Sequence, residues 1–337
     1  MSKDQKLVKI KRDTKSLVMK NLIVMAVLII IALTGVISWF TNKTEATADG
    51  INVTCEAPDG LEVAIVPHDG SKEGLNYQTG TIDLTKCESL SNLFSKLSFE
   101  ELTSDGLHFY KPKLNQSGST VTVDTTDKWL DAEAYAYKNH SNDTSIPYLS
   151  LDIYMRSKNA HTIVLGSDTY IKPDSDKLNG ADSGNKSKLG DFSKDCIVGA
   201  VRLSTVNRDD SELKNLWIPA PQIHYNSDKK EVTLDNTPDT PGDTFKHKYW
   251  EVNGETGMPQ GKEPVEYKKG VITNTNNNFK LGKNYNFAKL TKNQSSDKYA
   301  TGMTTVNIWV DGEDDEARFA MVGGKFTASI KLKISDK

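Results

Sequence analysis

The sequence predicts a mainly β fold. The expected architecture is an antiparallel β-sandwich, jelly-roll-like, with one or two short helices, preceded by one N-terminal transmembrane helix. Three observations carry this prediction. Residues 22–40 hold no charged side chain. Several later segments alternate apolar and polar residues with a period of two, the pattern of sheets with one face on a core. Helical spacing occurs in only two segments after residue 41.

The N-terminal part comes first. Leu22 to Phe40 reads LIVMAVLIIIALTGVISWF, 19 residues of which twelve are Leu, Ile, Val or Phe. A helix of that length spans about 28 Å, close to a hydrocarbon core. The twelve residues favour insertion by about 4–7 kcal/mol. Residues 1–20 carry a net charge of +5, against −8 for residues 41–337. Cations on the N-terminal flank place that end in the cytoplasm and residues 41–337 outside. Membrane contact is thus assigned to residues 22–40. The expected location is a single-pass cell-membrane protein. A signal-peptide reading stands beside it: Val36 and Ser38 suit a peptidase, cleavage falls before Trp39, and the product is secreted.

The exported part begins with alternation at Ile51, Val53 and Cys55, then Leu61, Val63 and Ile65 after the turn Pro58-Asp59-Gly60. This predicts a hairpin over 51–66. Residues 87–97 place Leu90, Leu93, Phe94 and Leu97 at helical spacing. Segment 128–138 reads as a strand from Tyr135 and Tyr137. Leu149, Leu151, Ile153 and Met155 form one face of another, with Ser150, Asp152, Tyr154 and Arg156 opposite. Ile197, Gly199, Val201 and Leu203 repeat the pattern, as do Val306, Ile308 and Val310. Residues 314–322 open with acids and end at Gly323-Gly324, as a helix does. The cleanest strand is the last, with Phe326, Ala328, Ile330, Leu332 and Ile334 on one face. Residues 172–195 and 226–302 are rich in polar and turn-forming residues and read as surface insertions. The expected organisation is a basic segment 1–20, a membrane or signal segment 21–40, and one β-rich extracellular domain 41–337.

Chemistry-bearing motifs are sparse. The chain has 42 Lys+Arg against 45 Asp+Glu, and a net charge of −3 excludes the basic excess of a nucleic-acid binder. No Walker A, GxSxG, SxxK or HExxH pattern occurs among the 337 residues. Six histidines (His68, His108, His140, His161, His224, His247) are scattered without ligand spacing. No catalytic residue and no cofactor is predicted. Hard cations favour clustered carboxylates. The calcium candidates are therefore Asp174 with Asp176, and Asp311 with Asp314. The competing reading of the second pair is a strand exit followed by a helix start. Cys55 and Cys87 are close enough in sequence for a bridge closing about 30 residues, worth roughly 3–4 kcal/mol. The favoured reading is that Cys55, Cys87 and Cys196 are buried thiols acting as small hydrophobes. Trp217, Trp250 and Trp309 could stack on sugars. Trp309 lies opposite Val306, Ile308 and Val310, and is expected to pack under the 314–322 helix.

The stretch TGVISWFTNKTEATADGINV (34–53) resembles the start of TasA/camelysin-type biofilm-matrix fibre proteins of Gram-positive bacteria. The matching residues are Gly35, Trp39, Phe40, Thr41, Ala46, Thr47 and Ala48. The ending VNIWVDGEDDEARFAMVGGKFTASIKLKI (306–334) resembles exported clostridial-type proteins that imply no activity. The first resemblance implies a non-enzymatic surface protein, structural or adhesive, that self-associates by strand addition through residues 41–57. Two alternatives come from the residues. One is a membrane-anchored module binding glycan or another ligand through the 217–300 region. The other is an envelope hydrolase using an acid pair.

Overall fold

The computed structural model describes residues 47–56, 60–68, 70, 72–99, 101–104, 106–111, 114–117, 120–123, 130–131, 146–173, 186–188, 197–207, 212–220, 223–226, 231–234, 251–252, 255–256, 272–273, 279–311 and 325–335. The segments 22–40 and 314–322, and most of 128–138 and 172–195, lie outside these residues. Among the described residues no helix is long and apolar enough to cross a membrane.

The fold is mainly β, as the alternation predicts. Strands are numbered in chain order. The first large sheet contains β1 (Thr47–Glu56), β3 (Gly80–Asp83), β10 (Thr162–Leu165), β11 (Tyr170–Pro173), β20 (Tyr285–Lys289) and β22 (Lys325–Ile334). Its order is β20-β10-β22-β1-β3, with β11 also on β22. The second contains β2 (Glu62–Pro67), β4 (Glu101–Ser104), β5 (Phe109–Lys111), β8 (Leu130–Asp131), β9 (Leu149–Ser157), β13 (Val201–Asn207), β14 (Glu212–Ile218), β19 (Ile272–Thr273) and β21 (Ala300–Asp311). There β21 lies between β9 and β13, β2 pairs β9, and β14 follows β13. Smaller pairings join β6 (Leu114–Ser117) with β7 (Thr120–Val123), β16 (Glu231–Leu234) with β12 (Lys186–Lys188) and β15 (Ile223–Asn226), and β17 (Glu251–Val252) with β18 (Glu255–Thr256).

Residues 44–114 and 123–337 form one compact unit that holds both large sheets. Residues 1–43 and 115–122 group separately, and the described part of that group belongs to the β6–β7 pair.

Both large sheets are mixed, where a purely antiparallel pattern was expected. β1 runs parallel to β22, from Thr47 opposite Lys325 to Glu56 opposite Lys333. β4 runs parallel to the end of β21, and β19 parallel to β14. The cause is connectivity. The chain passes back and forth between the sheets, so neighbouring strands are seldom consecutive. The N-terminal and C-terminal strands meet side by side this way.

One hydrophobic cluster joins the two sheets. Ile51, Val53, Phe326, Ala328, Ile330 and Leu332 contribute from the first, and Val63, Leu151, Ile153, Leu203, Val306 and Ile308 from the second. Each set occupies alternate positions of its strands, as the pleat requires.

The 51–66 hairpin does not form. β1 and β2 exist where predicted, but β1 pairs with β22 and β3 while β2 pairs with β9. Ile51 and Val53 enter the shared core from one sheet, Val63 and Ile65 from the other. The link between β1 and β2 is therefore a crossing between sheets. Burial of both apolar faces outweighs the local turn preference.

The predicted strand at 197–203 begins at Val201. Ile197–Ala200 forms a single helical turn, α2, with all four residues buried. The helix at 87–97 is present in shorter form: a 3₁₀ turn over Glu88–Leu90 runs into α1 (Ser91–Lys96). Leu90 and Leu93 are buried, and Phe94 and Leu97 pack against the core. The polar insertion expected over 226–302 ends earlier. Phe279, Leu281, Phe287, Leu290 and Ala300 all belong to the core.

Candidate functional site

β1 is the first candidate element. On one side it pairs with β22, and on the other Asn52 to Cys55 pair with Asp83 to Gly80 of β3. Ile51 and Val53 are fully buried. Gly50 takes a left-handed φ of 83° at the register shift between Ala48 and Ile51. A side chain there would be strained. On the outer face Thr54 Oγ1 lies 3.1 Å from Thr81 Oγ1, and Lys331 Nζ donates to Thr54 Oγ1 at 3.1 Å.

A cleft of about 800 Å³ opens beside β3. Its walls are β2 and β3, each at an edge of its sheet among the described residues, together with Gly70, Glu73, Gly74, Leu75, Asn76, Gln78 and the 86–89 turn. Asp83 shapes the turn. Its carboxylate accepts from the Thr85 hydroxyl at 2.7 Å and backbone N–H at 3.1 Å, and Lys86 Nζ lies 2.9 Å away. Lys86, then Thr85, hold the Asp83 carboxyl below its usual pKa.

Cys55 and Cys87 are both free thiols, so the bridge weighed from sequence is absent. The register explains it. Cys55 lies opposite Gly80, whereas the Cys87 thiol donates to Asp83 O at 3.4 Å, and Asp83 lies opposite Asn52. Three strand residues separate those levels, about 10 Å, beyond the Cα reach of a disulfide. Burial pushes the Cys55 thiol up to about 12. Burial, then the Asp83 carboxylate, raises Cys87.

The loop after β2 is pinned at two points. Arg156 stacks between Tyr77 and Tyr299, its guanidinium carbon 4.0 and 4.5 Å from the ring centroids, and pairs with Glu62. Burial raises the Tyr77 hydroxyl pKa, and Arg156 opposes that rise. At the other end His68 Nδ1 lies 3.1 Å from Asp152 Oδ1, which also accepts from Thr305 Oγ1 at 2.6 Å. Sequence spacing could not show this group. His68 follows β2, Asp152 lies on β9, and Thr305 lies opposite it on β21.

The outer face of the second sheet is covered as well. Ser150 Oγ donates to Asn307 Oδ1 at 2.6 Å, Asn307 Nδ2 to Ser204 Oγ at 3.2 Å, and Ser204 Oγ to Gly106 O at 2.6 Å. The segment around Gly106 thereby docks on the sheet. Next to it Leu102, Phe109, Tyr148, Val206, Leu213, Leu216 and Trp309 form a second apolar cluster. Trp309 packs edge-on against Phe109 at 5.3 Å, and Phe109 stacks on Tyr148 at 4.0 Å. Among the described residues the aromatic partner of Trp309 is thus Phe109 of the β4–β5 arm, and the 314–322 segment expected over it lies outside them. Trp309 and Trp217 are both fully buried, which removes them as sugar-stacking platforms. Trp250 lies outside the described residues.

Of the calcium candidates, Asp311 is buried, with Arg202 Nε 3.8 Å from its carboxylate. Asp174, Asp176 and Asp314 lie outside the described residues, as do Val36, Ser38 and Trp39. Among the described residues no group of three or more His, Cys, Asp or Glu is placed to hold a metal ion. No family model matches the sequence, and no curated protein or solved structure matches it.

Proposed function

We propose that the chain is a structural or adhesive protein of the cell surface, built on a jelly-roll-like β-sandwich and assembling with further copies through its N-terminal strand. In this reading residues 1–20 stay in the cytoplasm, and residues 22–40 anchor the chain or are removed before Trp39. Residues 41–337 face outward. The observation that supports assembly is the position of β1. It follows the hydrophobic segment after only six intervening residues, and it fills an interior slot between β22 and the edge strand β3. An equivalent strand from a second copy would make the same hydrogen bonds and bury the same Ile51 and Val53 side chains. That is strand addition between subunits. The ligand-binding alternative draws its support from the cleft beside β3 rather than from the tryptophans.

Sedimentation velocity on residues 39–337 tests the reading. Oligomers that grow with concentration are expected for the intact form, with a clear loss when residues 39–50 are removed. A strictly monomeric profile for both, at the highest concentration reached, overturns it.

A further inference from the structure

We propose that the cleft between β2 and β3 binds an extended, cationic peptide segment of a partner protein, which adds as a short strand to the edge of β2. This goes beyond subunit assembly and does not depend on exchange of β1.

The backbone supplies the first argument. Val63 N–H donates to Gln78 O at 2.9 Å, and Gln78 N–H donates to Val63 O at 2.7 Å. Alternate residues of a strand direct their N–H and C=O to the same side. Ile65 therefore directs both groups away from β9, as Val63 does, and Ile65 lines the cleft. Neither group has a hydrogen-bond partner among the described residues. Two residues further on, Pro67 has no N–H to offer, and its carbonyl accepts from Gly70 N–H at 2.8 Å. The edge is thus closed at Val63 and at Pro67 and open at Ile65. Edge strands are usually blunted along their length, because open edges recruit other chains. A gap one residue long, in the lining of a cleft of about 800 Å³, admits an extended backbone and pairs it by two hydrogen bonds.

Charge supplies the second argument. Among the described lining residues, Glu73, Asp83 and Glu88 are acidic and Lys86 is the single cation. Lys86 is already engaged by Asp83 at 2.9 Å. The described lining residues sum to a formal charge of −2, so a peptide bearing lysine or arginine is attracted and an acidic one repelled.

The probe is a fluorescein-labelled peptide, Lys-Val-Lys-Val-Thr-Val-Lys, titrated with the full-length chain in detergent micelles and followed by anisotropy. Saturable binding is expected. Replacing each lysine of the peptide by glutamate should weaken it about tenfold or more, and so should N-methylating its central amides, since one hydrogen bond is worth about that factor. The double variant Glu73→Lys/Glu88→Lys changes exposed positions and should keep the circular dichroism spectrum while losing about tenfold in affinity. In Ile65→Pro the outward donor is removed without taking a bond from β9, and it should weaken binding even where the charge variant is not used. No saturable binding overturns the proposal. Equal binding by the N-methylated or the glutamate peptide also overturns it, since strand pairing or charge would then play no part.

Discussion

Trp309 tests whether the β4–β5 arm is part of the folded core. Its side chain is fully buried, and its indole Nε1 has no hydrogen-bond partner among the described residues. A buried aromatic of this size removes roughly 150–250 Å² from water, worth about 4–6 kcal/mol at 25 cal/mol per Å². Trp309→Ala should therefore cost about 3–5 kcal/mol, allowing for partial collapse of the site. Trp309→Phe is the discriminating variant. It loses part of that burial, about 1–2 kcal/mol, but also removes a buried donor whose desolvation costs about 1–3 kcal/mol. The two effects oppose each other, so the change should stay within about 1 kcal/mol. Urea unfolding followed by far-ultraviolet circular dichroism measures both, because the signal does not depend on the tryptophan replaced. In heat, Trp309→Ala should lower Tm by about 10 °C. A cycle with Phe109→Ala should show about 0.5–1.5 kcal/mol of coupling from the edge-on contact. If Trp309→Ala costs under about 1 kcal/mol, the arm does not cover the sheet in solution. Should Trp309→Phe cost as much as Trp309→Ala, the indole N–H has a partner and the argument fails.

Other positions give further expectations. Asp311→Asn removes the buried carboxylate 3.8 Å from Arg202 Nε and should destabilise by about 3 kcal/mol, read as a lower urea midpoint. At Gly302 an added Cβ would lie 2.9 Å from Lys289 O and from Leu290 Cδ2, and Gly302→Ala should cost about 1–3 kcal/mol in the same assay. Asp168 is held below its usual pKa by the Lys280 hydrogen bond first, then by Lys333. Its stabilisation is present above the unfolded carboxyl value and is lost as pH falls through the folded one. Asp168→Asn should therefore flatten the acid limb of a pH–stability profile, by under about 1 kcal/mol at this exposed site. With Cys55 at about 12 the folded thiol stays protonated, so stability should fall as pH rises from about 9 toward 12. A thiol reagent added to native protein should label the half-buried Cys87 before Cys55.

The strands with one face on the core were legible because alternation is a direct record of the pleat. β9, β21 and β22 fall where Leu149–Met155, Val306–Val310 and Phe326–Ile334 placed them. Ile197 and Gly199 misled for a definite reason. They continue the alternation of Val201 and Leu203, yet they sit in a turn of helix buried on all sides, where period carries no information. The Pro58-Asp59-Gly60 turn signal was equally silent on which sheet its flanking strands join. The His68–Asp152–Thr305 group joins residues 84 and 153 positions apart, and only strand register brings them together. Ion pairs and edges of this kind depend on which strands are neighbours. Nothing local in the sequence encodes that choice.

The place of β1 fixes what assembly by strand exchange would require. An exchanged β1 makes the same contacts as the native one, so the two arrangements differ mainly in the link to β2 and in concentration. A strand tethered to its own slot by a short link has an effective concentration on the order of millimolar. Intact copies at micromolar concentration should therefore stay largely closed, their oligomers should grow only as concentration approaches millimolar, and a vacant slot should lower that threshold. Removing residues 1–56 creates such a slot. Losing Ile51 and Val53 costs about 3–6 kcal/mol of burial, a large part of an ordinary stability of about 5–15 kcal/mol. The shortened chain should melt well below the parent. A synthetic peptide of residues 47–56 should restore it, by about 2.7 kcal/mol at a hundredfold excess over its Kd. The same peptide carrying Ile51→Asp and Val53→Asp should not. Unchanged melting of the shortened chain would mean that β1 contributes no stability. Equal rescue by the charged peptide would mean that the slot does not read the apolar face on which exchange depends.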